Sequence, residues 1–344
     1  MIKSILKISF LLMFSFIMTC CKKKEEITTY LQTTPYVLEL KSGFPPLEID
    51  EDNPLTQEGV YLGRHLFWDQ RLSGGNSMSC ATCHNPQKAF AEAYPLSIGV
   101  NGDTSLRNSM VLQNLAWAND FFWDGRVLTL EEQVLSTVVK STEMDENWTD
   151  FLNEIKYDTK YNQLFYEAFG TTQPDSMHVA KAIAQFLKTM VSQDSKFDKV
   201  MRGEANFTPD ENAGYSSFNS FSGGDCFHCH GTEMFMDNDF HNNGLDANNF
   251  ADLGLANISN NPDDIAKFKT PTLRNIEFTA PYMHDGRFST LEEVIEHYNS
   301  GGNYSPTVDP LMKKIGVGLQ LTNTEKQDLI NFLKALSDYD FINN

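Results

Sequence analysis

The pattern of apolar and polar positions predicts a mostly helical chain, most clearly near the C-terminus. Four apolar residues recur there at helical spacing: Leu329, Ile330, Leu333 and Leu336. Thr322 and Glu325 precede them as a capping box, which predicts the first turn of this helix. Thr208 and Glu211 form a second capping box, with Pro209 at the first helical position. These patterns indicate the all-α class.

The same pattern gives little sign of a β-sheet. No convincing run of alternating strand positions occurs, and Gly, Asn and Asp cluster at 223–225 and 237–250, which predicts loops. Residues 22–50 contain three prolines and predict an extended lead-in. The remaining chain is long enough for two domains.

A repeated segment predicts that these two domains are copies of each other. Residues 124–132 read DGRVLTLEE and residues 285–293 read DGRFSTLEE, and a Leu-Arg-Asn triplet precedes each copy. In both copies a threonine, followed three residues later by a glutamate, predicts a capping box. The simplest account is a duplicated domain, with one copy in 51–203 and the other in 204–344.

Each half carries one C-x-x-C-H motif. The motif residues are Cys80, Cys83 and His84 in the first half and Cys226, Cys229 and His230 in the second. This motif is the attachment signature of c-type haem. Two thiols one helical turn apart can add to the two vinyl groups of one porphyrin, and the histidine then faces the iron. The sequence therefore predicts two covalent haem groups, haem 1 in the first half and haem 2 in the second.

Two other interpretations exist for paired C-x-x-C motifs. They can hold zinc, but the halves of a zinc ribbon lie within about twenty residues of each other, whereas these lie in opposite halves of the chain. A thioredoxin-like redox pair belongs to a βαβ pattern, which neither motif has. Neither interpretation explains a histidine directly after both pairs.

Residues 1–21 have the features of an export signal. Two lysines precede an apolar run at 8–18, which is shorter than the roughly 18–20 residues that a membrane span needs. Cys20, or alternatively Cys21, stands where a bacterial lipoprotein is lipidated, and an ordinary signal peptide is the other interpretation. We therefore expect an exported, periplasmic protein that meets the membrane only through an N-terminal lipid anchor.

The net charge of the chain limits the classes of macromolecule that it is expected to bind. The formal net charge is −19 over 344 residues, so nucleic acid is not expected to bind. An acidic surface can steer a small basic redox protein in a salt-dependent way, or it can simply keep the protein soluble.

The repeat also predicts unequal surroundings for the two irons. One helical face of the second copy carries four residues: Leu291, Val294, Ile295 and Tyr298. The counterpart of Tyr298 in the first copy is Thr137, which shares a face with Gln133. If this helix lies over each haem, Tyr298 becomes the sixth ligand of haem 2 while haem 1 stays open to a small ligand. Core packing is the alternative role for Tyr298.

From about Gly59 to its C-terminal helix, the chain resembles the bacterial dihaem cytochrome c peroxidases and their MauG-like relatives. The resemblance rests on the motifs GRHLFWDQRLS, SCATCH, FFWDGRVLTLEEQ, FKTPTLRN and TAPYMHDGRFSTLEEVIEHY. It implies two tandem cytochrome c-like haem domains, with the haems near the domain interface. It also implies that haem 1 performs the chemistry and that haem 2 relays electrons.

The resemblance further implies roles for individual residues. Gln133 and Glu143 match the distal pair of the peroxidatic haem, although Glu143 alone would be interpreted as a surface carboxylate. Trp123 matches a tryptophan between the haems, and His284 matches a histidine near haem 2. Three residues match positions that bind a calcium ion between the domains: Asn108, Thr279 and Pro281.

Two positions depart from the pattern of peroxidases that need reductive activation. Val100 stands where those enzymes have a loop histidine that closes the first iron. Tyr298 stands where the second haem usually has a methionine, as in MauG-like proteins. His297 and Met283 are rival sixth ligands of haem 2.

The sequence is compatible with three functions. The favoured one is reduction of hydrogen peroxide to water, with electrons from a small redox protein such as a cytochrome c. The second is MauG-like oxidation of a protein side chain by peroxide, and the third is electron transfer without catalysis. A homodimer is compatible with all three.

Overall fold

The computed structural model of the protein describes residues 31–48, 50–231, 233–312 and 314–343. The predicted export signal, with Cys20 and Cys21, lies outside this described part. The first-half helices are α1 (Gln57–Phe67), α2 (Cys80–Cys83), α3 (Leu130–Val138), α4 (Trp148–Ile155), α5 (Thr159–Phe169), α6 (Ser176–Lys188) and α7 (Lys196–Met201). The second-half helices are α8 (Pro209–Phe218), α9 (Phe227–His230), α10 (Ala256–Ser259), α11 (Leu291–Ser300), α12 (Asn323–Lys334) and α13 (Tyr339–Asn343).

Helices dominate the described residues, so the predicted all-α class is confirmed. Two short strands, β1 (Phe240–His241) and β2 (Phe268–Lys269), pair antiparallel, with Phe240 opposite Lys269. The prediction of a loop throughout 237–250 was therefore wrong at 240–241. The pairing depends on a partner segment distant in the chain, which local composition does not reveal.

The predicted helix starts are found at α8, α11 and α12. At α12 the Thr322 hydroxyl accepts a hydrogen bond from the Glu325 N–H at 3.2 Å, and the Glu325 carboxylate accepts one from the Thr322 N–H at 2.8 Å. The repeat copy at the start of α3 has only part of the capping box. There the Glu132 carboxylate accepts a hydrogen bond from the Leu128 N–H at 3.0 Å and not from the N–H of Thr129. The capping-box prediction was thus only half correct for α3.

Two helix pairs give the two halves a similar framework. α1 packs against α6 in the first half, and α8 packs against α12 in the second. A glycine lies at each crossing: a Cβ on Gly63 would overlap the carbonyl oxygen of Ala182, and one on Gly214 would overlap that of Asp328. The close approach of each pair therefore requires a residue without a side chain.

Two hydrophobic clusters follow these helix pairs. The first includes Leu66 and Phe165, and the second includes Leu329 and Phe332, all of them nearly or fully buried. The described residues from Thr33 onward nevertheless belong to one compact unit. The division of the chain near residue 203 stays a prediction.

The described part of the lead-in is extended, apart from a turn at 42–44. It is fixed by the Lys41 N–H, which donates to the Gln193 side chain at 2.7 Å, and by the Trp117 indole, which donates to the Pro46 carbonyl at 3.2 Å. No helix in the described ranges is long and apolar enough to cross a membrane.

We predict that Gly214→Ala destabilises the protein by about 1–3 kcal/mol, because the new methyl group must push α8 away from α12. Thermal unfolding of the purified protein measures this loss. Ser216→Ala, an exposed change on the same helix, is the matched control and should stay within about 0.5 kcal/mol of the parent protein. Equal stability of the two variants would contradict the close crossing.

Candidate functional site

A large cavity of about 890 Å³ takes side chains from both halves of the chain. All six motif residues line it: Cys80, Cys83, His84, Cys226, Cys229 and His230. This volume is near the upper end of the roughly 300–1,000 Å³ typical of ligand pockets. The fold therefore brings two motifs that are far apart in sequence to one cavity.

The two motif histidines have the same hydrogen-bonding arrangement. His84 Nδ1 lies 3.2 Å from the Phe90 carbonyl oxygen, and His230 Nδ1 lies 2.8 Å from that of Phe235. Because a carbonyl can only accept, Nδ1 carries the ring proton and Nε2 keeps its lone pair. Burial lowers the pKa of both imidazoles, which favours the neutral form that binds a metal.

The motif cysteines are free thiols in pairs one turn apart. Burial raises the pKa of Cys80 and of Cys226 to about 12, so these thiols are poor redox nucleophiles. Among the described residues, the acidic, cysteine and histidine side chains with metal-ligand spacing are Cys229, Asp237 and His241. The four motif cysteines do not meet in one cluster, which argues against the zinc interpretation.

The first-half wall of the cavity carries three polar side chains from α3 and the turn that follows it. α3 contributes Gln133 and Thr137, and the turn after α3 contributes Glu143. The Gln133 Oε1 atom is buried and has no hydrogen-bond partner among the described residues. His84 is the only histidine of the described first half that lines the cavity, and Val100 does not line it. This side of the cavity thus has room and polar groups for a small ligand.

Glu143 is held in a partly apolar setting. Burial raises the pKa of Glu143, while the charges of Arg126 and Lys140 and the Thr137 hydroxyl act in the opposite direction. The backbone is fixed because the Val100 N–H donates to the Glu143 carbonyl at 2.9 Å. A carboxyl group with a raised pKa can take up and return a proton near neutral pH more readily than an exposed one.

The second-half wall contains the phenolic oxygen of Tyr298 at the corresponding position. Tyr298 lies on α11, and the whole predicted face of that helix lines the cavity. Burial raises the pKa of Tyr298 to about 12, opposed by a 3.2 Å hydrogen bond from the Asn243 amide. The rival His297 does not line the cavity, and its Nε2 bonds the Asn243 carbonyl at 3.0 Å. The rival Met283 does line it.

Trp123 and His284 occupy the same position of the two repeats and come together at the cavity. Their ring centroids are 6.5 Å apart, edge to face. The Trp123 indole donates to the Asn108 carbonyl at 2.8 Å, and the Asn108 N–H donates to the His284 carbonyl, also at 2.8 Å. His284 also stacks on Phe268 of β2, with 3.7 Å between centroids. The duplicated turns are thus directly connected.

The three candidate calcium residues also meet at the cavity. Asn108, Thr279 and Pro281 all line it, and the Ala280–Pro281 peptide bond is cis. The Asn108 side-chain amide donates to the Tyr94 carbonyl at 3.0 Å. Residues of both halves that could supply oxygen ligands therefore line the same cavity.

Comparison with known proteins gives a consistent result. The di-haem cytochrome c peroxidase family model matches residues 57–206. The chain is 34% identical to cytochrome-c peroxidase IdrP1 of Pseudomonas sp. strain SCT, over 85% of this chain and 84% of that protein. It is 37% identical to methylamine utilization protein MauG of Methylorubrum extorquens, over 83% of this chain and 79% of that protein.

The chain belongs to the dihaem cytochrome c peroxidase and MauG family. A solved structure agrees: a MauG-like protein associated with microbial copper homeostasis has a TM-score of 0.83 at 34% identity, covering 89% of this chain and 97% of that one. The protein is accordingly an oxidoreductase of the peroxidase type, and haem is its cofactor.

The residues present fit the haem groups of this family. Each motif supplies two free thiols and one neutral imidazole to the same cavity. The cavity walls are largely apolar around these groups, as a porphyrin requires. His84 and His230 would hold the irons, and the cysteine pairs would hold the porphyrin edges.

Sequence reasoning missed two residues that shape this site. Asn243 lies in a loop of Gly, Asn and Asp, whose composition indicates a turn and no role. Arg126 stands out in the sequence only as part of the DGR repeat, yet it lines the cavity and its charge acts to lower the pKa of Glu143. The repeat itself was the available signal for Arg126, whereas no local signal existed for Asn243.

We predict that Arg126→Gln raises the pKa of Glu143 further, because it removes a positive charge that favours the carboxylate. The carboxyl stretch of Glu143, identified by its loss in Glu143→Gln, can be titrated by infrared spectroscopy. Arg64→Gln changes the net charge equally at an exposed position outside the cavity. That control should leave the titration unchanged, and an identical shift in both variants would refute the local effect.

Proposed function

We propose that the protein reduces hydrogen peroxide to water at haem 1, with electrons from a small redox protein that enter through haem 2. One observation carries this proposal: the same repeat position presents Thr137 on one side of the cavity and Tyr298 on the other. A threonine leaves space over the haem 1 iron, whereas a tyrosine oxygen can occupy the sixth position of haem 2.

Both haems are proposed to be covalently attached. Cys80 and Cys83 would form the thioether bonds to haem 1, with His84 as its iron ligand. Cys226 and Cys229 would do the same for haem 2, with His230. Bound haem supplies an iron that binds peroxide and exchanges electrons.

Glu143 is the proposed proton carrier. Its carboxylate takes a proton from bound peroxide and returns it to the leaving hydroxide, and such acid–base help is typically worth about 10²–10⁴-fold in rate. Gln133 is the proposed orienting group, since its side-chain amide lines the same wall and its Oε1 atom is otherwise unpartnered among the described residues.

Trp123 is the proposed electron path between the haems. It lines the cavity that holds both motifs and contacts His284 of the second half. A calcium ion at Asn108, Thr279 and Pro281 would then stabilise this contact, because carbonyl and hydroxyl oxygens suit that hard cation.

The proposal also includes export to the periplasm, with a lipid on Cys20 or Cys21. A homodimer is compatible with it.

MauG-like oxidation of a protein side chain is the second candidate. It is favoured by Tyr298, which gives haem 2 an oxygen ligand in place of a sulfur, and by the similarity to MauG itself. An anionic oxygen stabilises a high iron oxidation state better than a neutral thioether does.

We predict that the purified protein, given peroxide and a reduced small basic cytochrome c, oxidises that cytochrome over many turnovers. The rate should fall as salt is added, because the protein is acidic and attraction of unlike charges is screened. Stopped-flow absorbance of the cytochrome measures this. Peroxide consumption without cytochrome oxidation would favour the MauG-like reaction, and no peroxide consumption would leave only electron transfer.

We predict that Glu143→Gln lowers kcat/KM for peroxide by about 10²–10⁴-fold, because the amide cannot accept the proton. In the parent enzyme kcat/KM should fall as the pH drops through the raised pKa of Glu143, since the base must be ionised. Steady-state kinetics across pH measures both effects. Glu154→Gln, at an exposed position, should retain full rate and the same pH profile, and full turnover by Glu143→Gln would refute the role.

A further inference from the structure

The loop that follows β1 places a single amide against both cavity-lining candidates for the sixth ligand of haem 2. Asn243 Nδ2 lies 3.2 Å from Tyr298 Oη and 3.5 Å from Met283 Sδ. A methionine sulfur can only accept a hydrogen bond, so the atom between the two must be the amide NH₂ group. Its two hydrogens can serve both acceptors at once.

The amide is held in this place by its neighbours in the loop. The Asn243 carbonyl bonds His297 Nε2 at 3.0 Å, on the helix that carries Tyr298. The preceding Asn242 is buried and donates to the hydroxyls of Ser305 and Thr307 at 3.1 and 3.0 Å. The loop backbone that carries the Asn243 amide is therefore fixed close to α11.

We propose that Asn243 is a positioning residue that donates a hydrogen bond to the iron-bound oxygen of Tyr298 and thereby sets the reduction potential of haem 2. This inference rests on the proposed ligation of haem 2 by Tyr298. A phenolate oxygen bound to iron keeps a lone pair that can accept from the amide. The donor draws electron density from that oxygen, so the oxygen donates less to ferric iron and the haem is easier to reduce.

The same contact distinguishes the two candidate ligands. A hydrogen bond to an ionised oxygen is stronger than one to a neutral thioether, so the amide favours Tyr298 over Met283 as the ligand. Within Asn243, the His297 ring contacts only the backbone carbonyl, through Nε2, and this contact keeps the loop close to α11. Asn243 thus acts on the iron only through Tyr298 and does not itself contact the iron.

The test uses the holoprotein and spectroelectrochemistry of haem 2. Asn243→Leu should shift the oxidation–reduction equilibrium of haem 2 roughly tenfold toward the ferric state, about 59 mV for a one-electron couple. The phenolate-to-iron charge-transfer band should move to lower energy. Asn243→Gln, which keeps an amide donor, should restore part of both changes.

Three controls isolate the contact. Asn303→Ala removes an exposed amide that donates to the Leu245 carbonyl at 3.0 Å, and it should leave the potential unchanged. The Asn243→Leu shift should persist in a Met283→Leu background, since it acts through Tyr298. If Asn243→Leu does not fold, the nearly isosteric Asn243→Asp, which lacks the donor, should move the potential in the same direction.

The outcomes separate this inference from the proposed function. A tyrosinate band in the parent protein with no change in Asn243→Leu overturns the inference and leaves the ligation intact. Loss of the shift in the Met283→Leu background also overturns it. Absence of any tyrosinate band in the parent protein removes the proposed Tyr298 ligation, and the inference with it.

Discussion

The site depends on the hydrogen bond that fixes each motif imidazole to the backbone. The Nδ1–H groups of His84 and His230 each donate a hydrogen bond to a backbone carbonyl a few residues further along the chain. That bond orients the ring and leaves the other nitrogen for a metal. Burial keeps both rings neutral, since a charged imidazole would lose more solvation than it gains in this cavity. The other residues that line the cavity can then differ between the two halves, while His84 and His230 are held in the same way.

The differences between the two halves are concentrated at a few positions of the repeat. Thr137 corresponds to Tyr298, and Gln133 corresponds to Val294, so one helix presents polar groups and the other an apolar face with one oxygen. Trp123 corresponds to His284, and these two rings meet edge to face. The two halves thus share a similar helix framework, and the different residues at the facing positions give the two sides of the cavity different surroundings.

The contact between the halves also carries buried charge. Arg107 binds Asp252 through two hydrogen bonds of 2.6 and 2.9 Å, and its guanidinium lies 5.4 Å from the centre of the Phe268 ring. Phe268 in turn stacks on His284.

The second triplet carries a similar pair. Arg274, which corresponds to Arg107, is 1% exposed and makes a bidentate pair with Asp198 at 2.8 Å. Arg107 also pairs with Asp124, next to Trp123, at 2.6 Å, so the first Leu-Arg-Asn triplet fixes the turn around Trp123, whereas the second is anchored to α7 through Arg274.

The helical class, the caps at Thr208 and Thr322, and the motifs and repeat that indicate haem can all be predicted from the order of the residues alone. These features are local or periodic, so neighbouring residues are enough to define them. Which side chains share a wall of the cavity depends instead on how distant segments fold against one another. The pairing of β1 with β2 and the contact of Asn243 with Tyr298 join segments far apart in the chain. No local pattern marks such contacts, because they arise from the packing of whole helices and loops against one another.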